Sequence, residues 1–294
     1  MHLKILVTGN RGFLGRHLVP KLQETFMISD MFFCNTDQYN LLNPIDNNVC
    51  NNTPVDFIFH LAAYTKAGDW CLYHPADQWV VNQKINTNIL EYWYKYQRQA
   101  KFITMGTSCA YDPKLEKTVD NYGKGEVDEN LFAYAMAKRM LHTGCQAYAK
   151  QFNMKYALFI PTTLCGPNFE VSDSHFIFDL VKKFCDAKKN GTSVTLWGDG
   201  YQKREVMDVG DAVRVMIQNM HLENQVVNLS TGNELAIREY ADMISEIVGF
   251  EGDVIYDTTK FTGVRSKNLI PNVSYEPTDL RITIKQMVDY YNEM

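Results

Sequence analysis

A chain of 294 residues, 46% hydrophobic and 21% charged, is long enough for one to two globular domains. Its net charge of −5, with no block of Lys or Arg, argues against a surface built for nucleic acid or an anionic membrane, and no apolar run approaches the ~18 residues of a membrane span. Seven cysteines, scattered and never spaced C-x-x-C, argue against a disulfide framework or a structural zinc site and fit reduced thiols in a cytoplasmic compartment.

The first element is a strand, Leu3–Val7, and the residues before the glycine turn are too few for the apolar core of a signal peptide. Val7-Thr8-Gly9-Asn10-Arg11-Gly12-Phe13-Leu14-Gly15 then leads into a helix over Phe13–Glu24. Glycines 9, 12 and 15 suit a tight turn, close approach of a pyrophosphate, and close packing of helix on strand. The free N–H groups and positive end of the helix bind the anion. Further strands are expected at Met27–Phe33, Asp56–His60, Lys101–Met105, Lys155–Ile160, Val194–Leu196 and Val226–Leu229. Helices are expected near Ala76–Gln97, Phe132–Phe152, His175–Lys189, Gly210–Met220 and Ile237–Val248. This alternation reads as α/β, a Rossmann-type doubly wound parallel sheet covered on both faces. Ligands of such a sheet bind beyond the carboxyl ends of its strands. The polar segment Asp112 to Asn130, with Pro113, Gly123 and Gly125, reads as a surface loop over the site. Residues 1–165 are assigned to the dinucleotide-binding Rossmann domain, with contributions from later segments, and 166–294 mainly to a smaller C-terminal substrate-binding lobe.

Four more signals follow the glycine turn in order. Asp56 to Ala63 is a strand ending in small residues, and Leu61, Ala62 and Ala63 offer a surface for a cofactor. Gly106-Thr107-Ser108-Cys109-Ala110-Tyr111 is a strand end rich in hydroxyls. Tyr134 and Lys138 are four apart and share one helix face. An ammonium near a phenol favours phenolate, so the tyrosine is expected to titrate towards neutrality and exchange a proton with a carbonyl or alkoxide oxygen that Thr107 also bonds. Leu196-Trp197-Gly198-Asp199-Gly200 comes last and leads to Arg204–Val209.

This ordered set resembles the extended short-chain dehydrogenase/reductases, and among them most closely the GDP-L-fucose synthases, which are GDP-4-keto-6-deoxy-mannose 3,5-epimerase-4-reductases. The resemblance covers nearly the whole chain. It is densest in Gly9–Gly15, Gly106–Tyr111, Ala133–Lys138, Pro161–Pro167 and Leu196–Asp211, and includes Cys109 and Ser174-His175. It implies NADP(H), with NAD(H) as the alternative, on Gly9, Arg11, Gly12, Phe13, Leu14, Gly15, Leu61, Ala62, Ala63 and Lys138. It also implies hydride transfer to C4 with Thr107, Tyr134 and Lys138 as the triad, and proton exchange at C3 and C5 by Cys109 and His175. Thr163, Lys183, Trp197, Arg204 and Lys267 match positions that hold the nucleotide sugar, although Trp197 fits a core position as well, and Lys267 an ordinary surface charge. Arg11 matches the family's contact to a 2′-phosphate. A second arginine expected after strand two is missing there, and Asp37 is an acid suited to a ribose 2′-hydroxyl.

The chain departs from the family pattern at four further places, one of them Lys183, which stands where the family often has an arginine and so keeps the charge but not the planar fork. Thr107 replaces serine, Thr163 replaces a substrate-facing asparagine, and Tyr64-Thr65-Lys66-Ala67-Gly68 replaces Val-Gly-Gly. The last two lie where the sugar binds, and keep open a second function: a C4 reductase or dehydrogenase of another GDP- or UDP-sugar, without epimerase activity. A non-catalytic dinucleotide sensor on the same fold is the alternative of another class. The aromatics Trp79, Tyr92, Trp93, Tyr94, Tyr96 and Tyr148 are more than two helices are expected to bury on their own sheet. With the family's four-helix contact in mind, they suggest a homodimer.

Overall fold

Alternate residues of the central strands point to opposite cores, and this two-sided burial sets the architecture. In the computed structural model, which describes residues 2–66, 70–172, 175–260, 265–266 and 268–294, Leu6, Ile58, Phe102, Leu158 and Ile160 enter one core. Ile5, Val7, Phe59, Ile103, Ala157 and Phe159 enter the other. Strands apolar on both faces belong in a parallel sheet between two helical layers. Strands β1 (Leu3–Thr8), β2 (Ile28–Cys34), β3 (Phe57–His60), β4 (Lys101–Met105) and β5 (Tyr156–Pro161) form it with a sixth strand, Gln225–Leu229. All its pairings are parallel. The strand order is Gln225–Leu229, β5, β4, β3, β1, β2, so the connections reverse direction between β1 and β3. A crevice at that reversal is where an open α/β sheet takes its ligand.

Helix α1 (Phe13–Thr25) covers one face. The other face is covered by α3 (Pro75–Tyr96), which follows a single-turn helix, α2 (Trp70–Tyr73), and by α4 (Phe132–Phe152). The α3 aromatics largely find partners within the chain. Trp93 is fully buried, stacks on Phe102 at 4.9 Å between centroids, and donates its indole N–H to the Ala100 carbonyl at 2.8 Å. Tyr92 is buried on Asn47 and Cys50. Tyr94 and Tyr148 pack with Phe152. Only Trp79 and Tyr96 of the six stay exposed, joined by Val80 and Met140. The count of aromatics therefore overstated the surface left over, because an intrachain core takes most of them.

Beyond β5 the chain lays down β6 (Thr163–Cys165), α5 (Phe176–Asn190), β7 (Val194–Trp197), β8 (Lys203–Arg204), β9 (Val206–Asp208) and α6 (Val209–Asn219). The sixth sheet strand, β10 (Gln225–Leu229), is followed by β11 (Leu235–Ala236), α7 (Ile237–Val248), β12 (Val254–Asp257) and α8 (Leu280–Glu293). Two readings from sequence change here. Val194–Leu196 forms a strand, but it pairs with β12 outside the main sheet. Helix α8, unanticipated, seals a third core with α5 and α7. Its buried positions, Thr283, Ile284, Met287 and Val288, make one narrow stripe along the helix. Helix α6 returns to the α1 side of the sheet.

A buried carboxylate ties this second half to the sheet. Glu205 is 1% exposed. Its Oε1 accepts from Ser230 Oγ at 2.7 Å, Thr231 N at 2.6 Å, Thr231 Oγ1 at 3.1 Å and Gly232 N at 2.9 Å. Its Oε2 accepts from Leu269 N at 2.9 Å. The turn after β10 and the segment that follows Arg265 are both anchored on this one side chain. A buried charge supplied with this many donors is tolerated, whereas a partner lost from such a set is costly. Glu205→Gln, which turns an amide NH2 towards donors, is expected to lower unfolding free energy by about 2–4 kcal/mol. Urea denaturation with an unchanged midpoint would show that the network is dispensable.

Candidate active site

The crevice between β1 and β3 is built by close backbone approach. Gly9 has φ +71°, and a Cβ there would lie 2.7 Å from the Ala62 nitrogen. A Cβ on Gly15 would lie 2.4 Å from the Gly9 carbonyl oxygen. Only glycine lets the turn lie against Leu61–Ala63 and α1 lie against the turn. Gly12 meets only the Gly9 oxygen, at 3.4 Å. It is the N-cap of α1, no side chain caps that helix, and no acid stands in its first turn. The backbone N–H groups at Phe13 and Leu14 are thus left for an anion rather than for the protein's own carboxylates. The buried Asn10 Oδ1 in the same turn has no partner. This cradle fits a dinucleotide pyrophosphate. The Phe13 ring turns away from it, meeting Phe178 of α5 edge to face at 5.3 Å. The Leu14 side chain packs against the α1-side core. Arg11 Nη1 is bonded to Asp37 Oδ2.

The floor beneath the crevice is polar and buried. Thr8 Oγ1 lies 2.8 Å from His60 Nδ1 and accepts from Ala62 N at 3.2 Å. Burial, with the Lys138 charge adding to it, pulls His60 down to about 3, so the ring is neutral. Helix α3 supplies Gln78, Asn82 and Asn86, all buried at four-residue spacing. Asn82 takes both backbone groups of Tyr64, at 2.9 Å each, and so fixes the loop after β3.

Thr107, Cys109, Tyr134 and Lys138 come together at the end of β4. Thr107 caps a short 3-10 turn over Ser108–Ala110, accepting from Cys109 N at 3.3 Å. Its hydroxyl is near enough to the Tyr134 phenol to favour the ionised form. Lys138 is buried in α4 and donates to the Met105 carbonyl at 3.0 Å, with its nitrogen 6.0 Å from the centre of the Tyr134 ring. The charge balance differs from the sequence expectation. Burial pushes the Tyr134 phenol up, Cys109 adds to this, and the Thr107 hydroxyl opposes it only in part. Burial also pulls Lys138 down to about 8. The ammonium is engaged by a neutral carbonyl, so desolvation of the phenolate outweighs its attraction. Tyr134 is therefore a protonated donor at neutral pH.

Residues overlooked in the sequence hold this turn. Arg139, next to Lys138, donates to the carbonyls of Ala110 at 2.7 Å, Gly125 at 2.7 Å and Lys124 at 2.8 Å. Asp112 accepts from Lys114 N at 2.7 Å and Glu126 N at 3.0 Å. The segment after Tyr111 is thus clasped from both ends. It is also not wholly superficial, since its Tyr122 is buried against Tyr111 and His142. A Cβ on Gly106 would lie 2.7 Å from the Tyr122 hydroxyl. No local pattern in so polar a segment marks Tyr122 as a core residue.

The proposed substrate residues are more dispersed. His175 is exposed and is the N-cap of α5, its carbonyl accepting from Asp179 N at 3.0 Å. Thr163 is half-buried in β6, beside β9. Lys183 pairs with Asp179 at 3.0 Å, so a phosphate there has a carboxylate to displace. Trp197 is 55% exposed, which removes the core reading. Arg204 is half-buried and its Nη1 donates to the Lys203 carbonyl at 2.7 Å. Lys267, Ser174 and Gly68 lie outside the described residues. Among the described residues no helix is long and apolar enough to cross a membrane, and no group of three or more His, Cys, Asp or Glu side chains is arranged to hold a metal ion.

A glycine turn at a sheet reversal, facing a hydroxyl, a phenol and a buried lysine, defines a Rossmann-type enzyme of the extended short-chain dehydrogenase/reductase class. The chain belongs to the NAD dependent epimerase/dehydratase family, whose sequence model matches residues 5–230. It is an enzyme of the kind that acts on nucleotide sugars. It is 30% identical to GDP-L-fucose synthase 1 of Arabidopsis thaliana over 98% of this chain and 93% of that protein. It is 29% identical to GDP-L-colitose synthase of Yersinia pseudotuberculosis over 92% of this chain and 90% of that one. The GDP-L-fucose synthetase of Naegleria fowleri, solved bound to NADP, matches with a TM-score of 0.86 and 25% identity, covering 99% of this chain and 92% of that one.

His60 gives the site a pH signature. Its folded value of about 3 lies below the unfolded 6.5. Between those values the unfolded chain takes up a proton that the folded ring refuses, so stability falls as pH drops from about 6.5 towards 3 and is untouched above 7. The shift corresponds to several kcal/mol at most, about 1.4 kcal/mol for each pH unit. Urea midpoints measured from pH 7 to 4 should fall less steeply for His60→Gln than for the natural chain. Parallel slopes would show that the ring titrates normally in the folded state.

Proposed function

We propose that the protein is a nucleotide-sugar epimerase-reductase acting on a GDP-4-keto-6-deoxy sugar, with NADPH as the preferred reductant. The observation that carries the reading is the grouping of Thr107, Tyr134 and the buried Lys138 at the end of β4, with Cys109 on the Thr107 turn. Gly9, Gly12, Gly15 and the first turn of α1 would hold the pyrophosphate, Leu61–Ala63 would flank the dinucleotide, and Arg11 would meet a 2′-phosphate. When bound, the reduced nicotinamide supplies a hydride for C4.

The chain's own residues manage the protons. A 4-keto group acidifies the hydrogens on C3 and C5. Cys109, as thiolate, removes one of them to the thiol, and His175 as imidazolium returns a proton on the opposite face. Tyr134, kept protonated by burial, donates its hydroxyl proton to O4 as that oxygen gains negative charge, and Thr107 bonds the same oxygen. The phenolate left behind is offset by the Lys138 ammonium, which is charged below about pH 8. Thr163, Lys183, Trp197, Arg204 and Lys267 are assigned to the nucleotide sugar. Residues 1–165, with α6 and β10, serve as the cofactor domain, and most of 166–294 as the substrate lobe. Trp79, Val80, Tyr96 and Met140 on α3 and α4 are assigned to a homodimer contact, and seven cysteines outside any disulfide suit a cytoplasmic enzyme.

Replacing Tyr134 with Phe removes the proton donor and nothing else. The expected loss in kcat for ketone reduction is about 10²–10⁴-fold, with dinucleotide affinity retained. Near-normal turnover would remove Tyr134 from the chemistry.

A second reading, a C4 reductase of another GDP- or UDP-sugar, draws support from the loop after β3. There Lys66 lies 5.1 Å from the Trp70 ring centre, Trp70 meets Tyr64 edge to face at 5.4 Å, and it stacks on His74 at 4.5 Å. Tyr64 and Lys66 of this group belong to the segment that stands in place of the family's Val-Gly-Gly. Solvent deuterium separates the two readings. An epimerase should place label beside the ketone. Cys109→Ser should lose that label yet still reduce a ketone in the final configuration, and His175→Asn should accumulate incompletely epimerised product. Natural enzyme that reduces without incorporating label establishes the second reading instead.

A further inference from the structure

A polar latch joins α1 to the segment that runs from β6 towards α5. His17 Nε2 lies 2.9 Å from the Pro167 carbonyl oxygen. Arg16 Nη1 donates to the Asn168 carbonyl at 3.4 Å, and Arg16 Nη2 is bonded to the Glu170 carboxylate. Two adjacent residues of α1 thus hold a strap, Pro167–Glu170. Asn168 has φ +62°, a left-handed conformation that asparagine adopts more readily than most residues. The turn there presents consecutive carbonyls to α1.

Phe169, between the anchored residues, carries the strap into the core. It is 1% exposed and stacks on Phe178 of α5, with 4.7 Å between centroids and 15° between planes. Phe178 in turn meets the His175 ring edge to face at 6.4 Å. The His175 ring is therefore reached from α1 through the strap and the Phe169–Phe178 stack. The Arg16 and Glu170 side chains are 40% and 61% exposed, so solvent screens their attraction and the pair adds little to stability. Its effect is on placement, because close-packed rings pass a displacement of one on to the next.

Resting on the epimerase reading above, we propose that Arg16 and His17 are positioning residues for His175: they fix the strap against which Phe178 and the His175 ring are seated, and so set where the imidazole returns its proton. Neither side chain belongs to the pyrophosphate cradle, which the backbone of residues 9–15 builds.

Arg16→Ala and His17→Phe, made singly and together in the full chain, test this. Phenylalanine keeps the edge-to-face contact of residue 17 with Phe13, 5.3 Å between centroids, and removes the ring nitrogen. Arg281→Ala, which breaks an exposed pair with Glu246, controls for the loss of a surface ion pair. Each chain is given GDP-4-keto-6-deoxy-mannose and NADPH in deuterium oxide, and separately a ketone already in the final configuration. In the double variant the share of incompletely epimerised product should rise about tenfold. Reduction of the final-configuration ketone should stay within about twofold of the natural rate. Both reactions run on the same folded fraction, so their ratio is independent of any loss of stability. Arg281→Ala should change neither. In a His175→Asn background the double change should add nothing, because both act through one group. An unchanged product distribution, an equal loss in both reactions, or a further loss on top of His175→Asn overturns the proposal while leaving the enzyme's function standing. A natural chain that places no deuterium beside the ketone overturns the epimerase reading itself, and this proposal with it.

Discussion

The contact between Gly9 and Ala62 is the constraint on which the site depends. A Cβ at position 9 would sit 2.7 Å from the Ala62 nitrogen, and one at position 15 only 2.4 Å from the Gly9 oxygen. These approaches draw β1, α1 and the end of β3 into one backbone wall. They also aim the uncapped first turn of α1 into the crevice. Thr8 reinforces the wall from below, through His60 and the Ala62 N–H. His60 is neutral and carries no charge into the floor, so the Lys138 ammonium has no cationic competitor beneath the crevice.

Burial then decides the proton chemistry. Proximity of Tyr134 and Lys138 on one helix face suggests a lowered phenol, and desolvation drives it the other way. The same desolvation lowers the ammonium, because neither group is given an opposite charge. In the proposed reaction, reduction of a ketone needs a donor that keeps its proton until negative charge develops, and a half-buried neutral phenol meets that need. The ammonium becomes most valuable at the moment when phenolate forms. The stabilisation is thus concentrated on the charge-separated state rather than spent on the resting one.

Much of this was legible in the sequence. Glycine spacing marked the turn, alternation marked the sheet, and Phe132–Phe152 and Ile237–Val248 were delimited as they fold. These are features in which local pattern and tertiary environment agree. The misses share the opposite character. Val194–Leu196 has strand composition, but composition does not say which sheet it joins. Tyr122 sits in a polar segment and is buried by a clasp whose halves, Asp112 and Arg139, lie far apart in sequence. The α3 aromatics were counted as surplus because the sequence does not show that Phe102, Cys50 and Phe152 are there to receive them. Inward-facing Gln78, Asn82 and Asn86 could have been read from their four-residue spacing as a polar stripe with a task.

The second half of the chain supplies position rather than chemistry to the dinucleotide wall. Phe13 meets Phe178, so the first residue of α1 also braces the start of α5, where His175 stands. Gly166, at φ +152°, has room for a Cβ neither on its backbone nor against Val209, the first residue of α6, which would lie at 2.6 Å. The starts of α1, α5 and α6 therefore converge through apolar contacts around Phe13 and Gly166. Glu205 fixes the neighbouring β10 turn. The start of α5, where His175 caps the helix, takes its position from that apolar junction. Packing at Phe13 thereby links cofactor geometry to the placement of His175, even though the phenyl ring itself faces away from the pyrophosphate cradle.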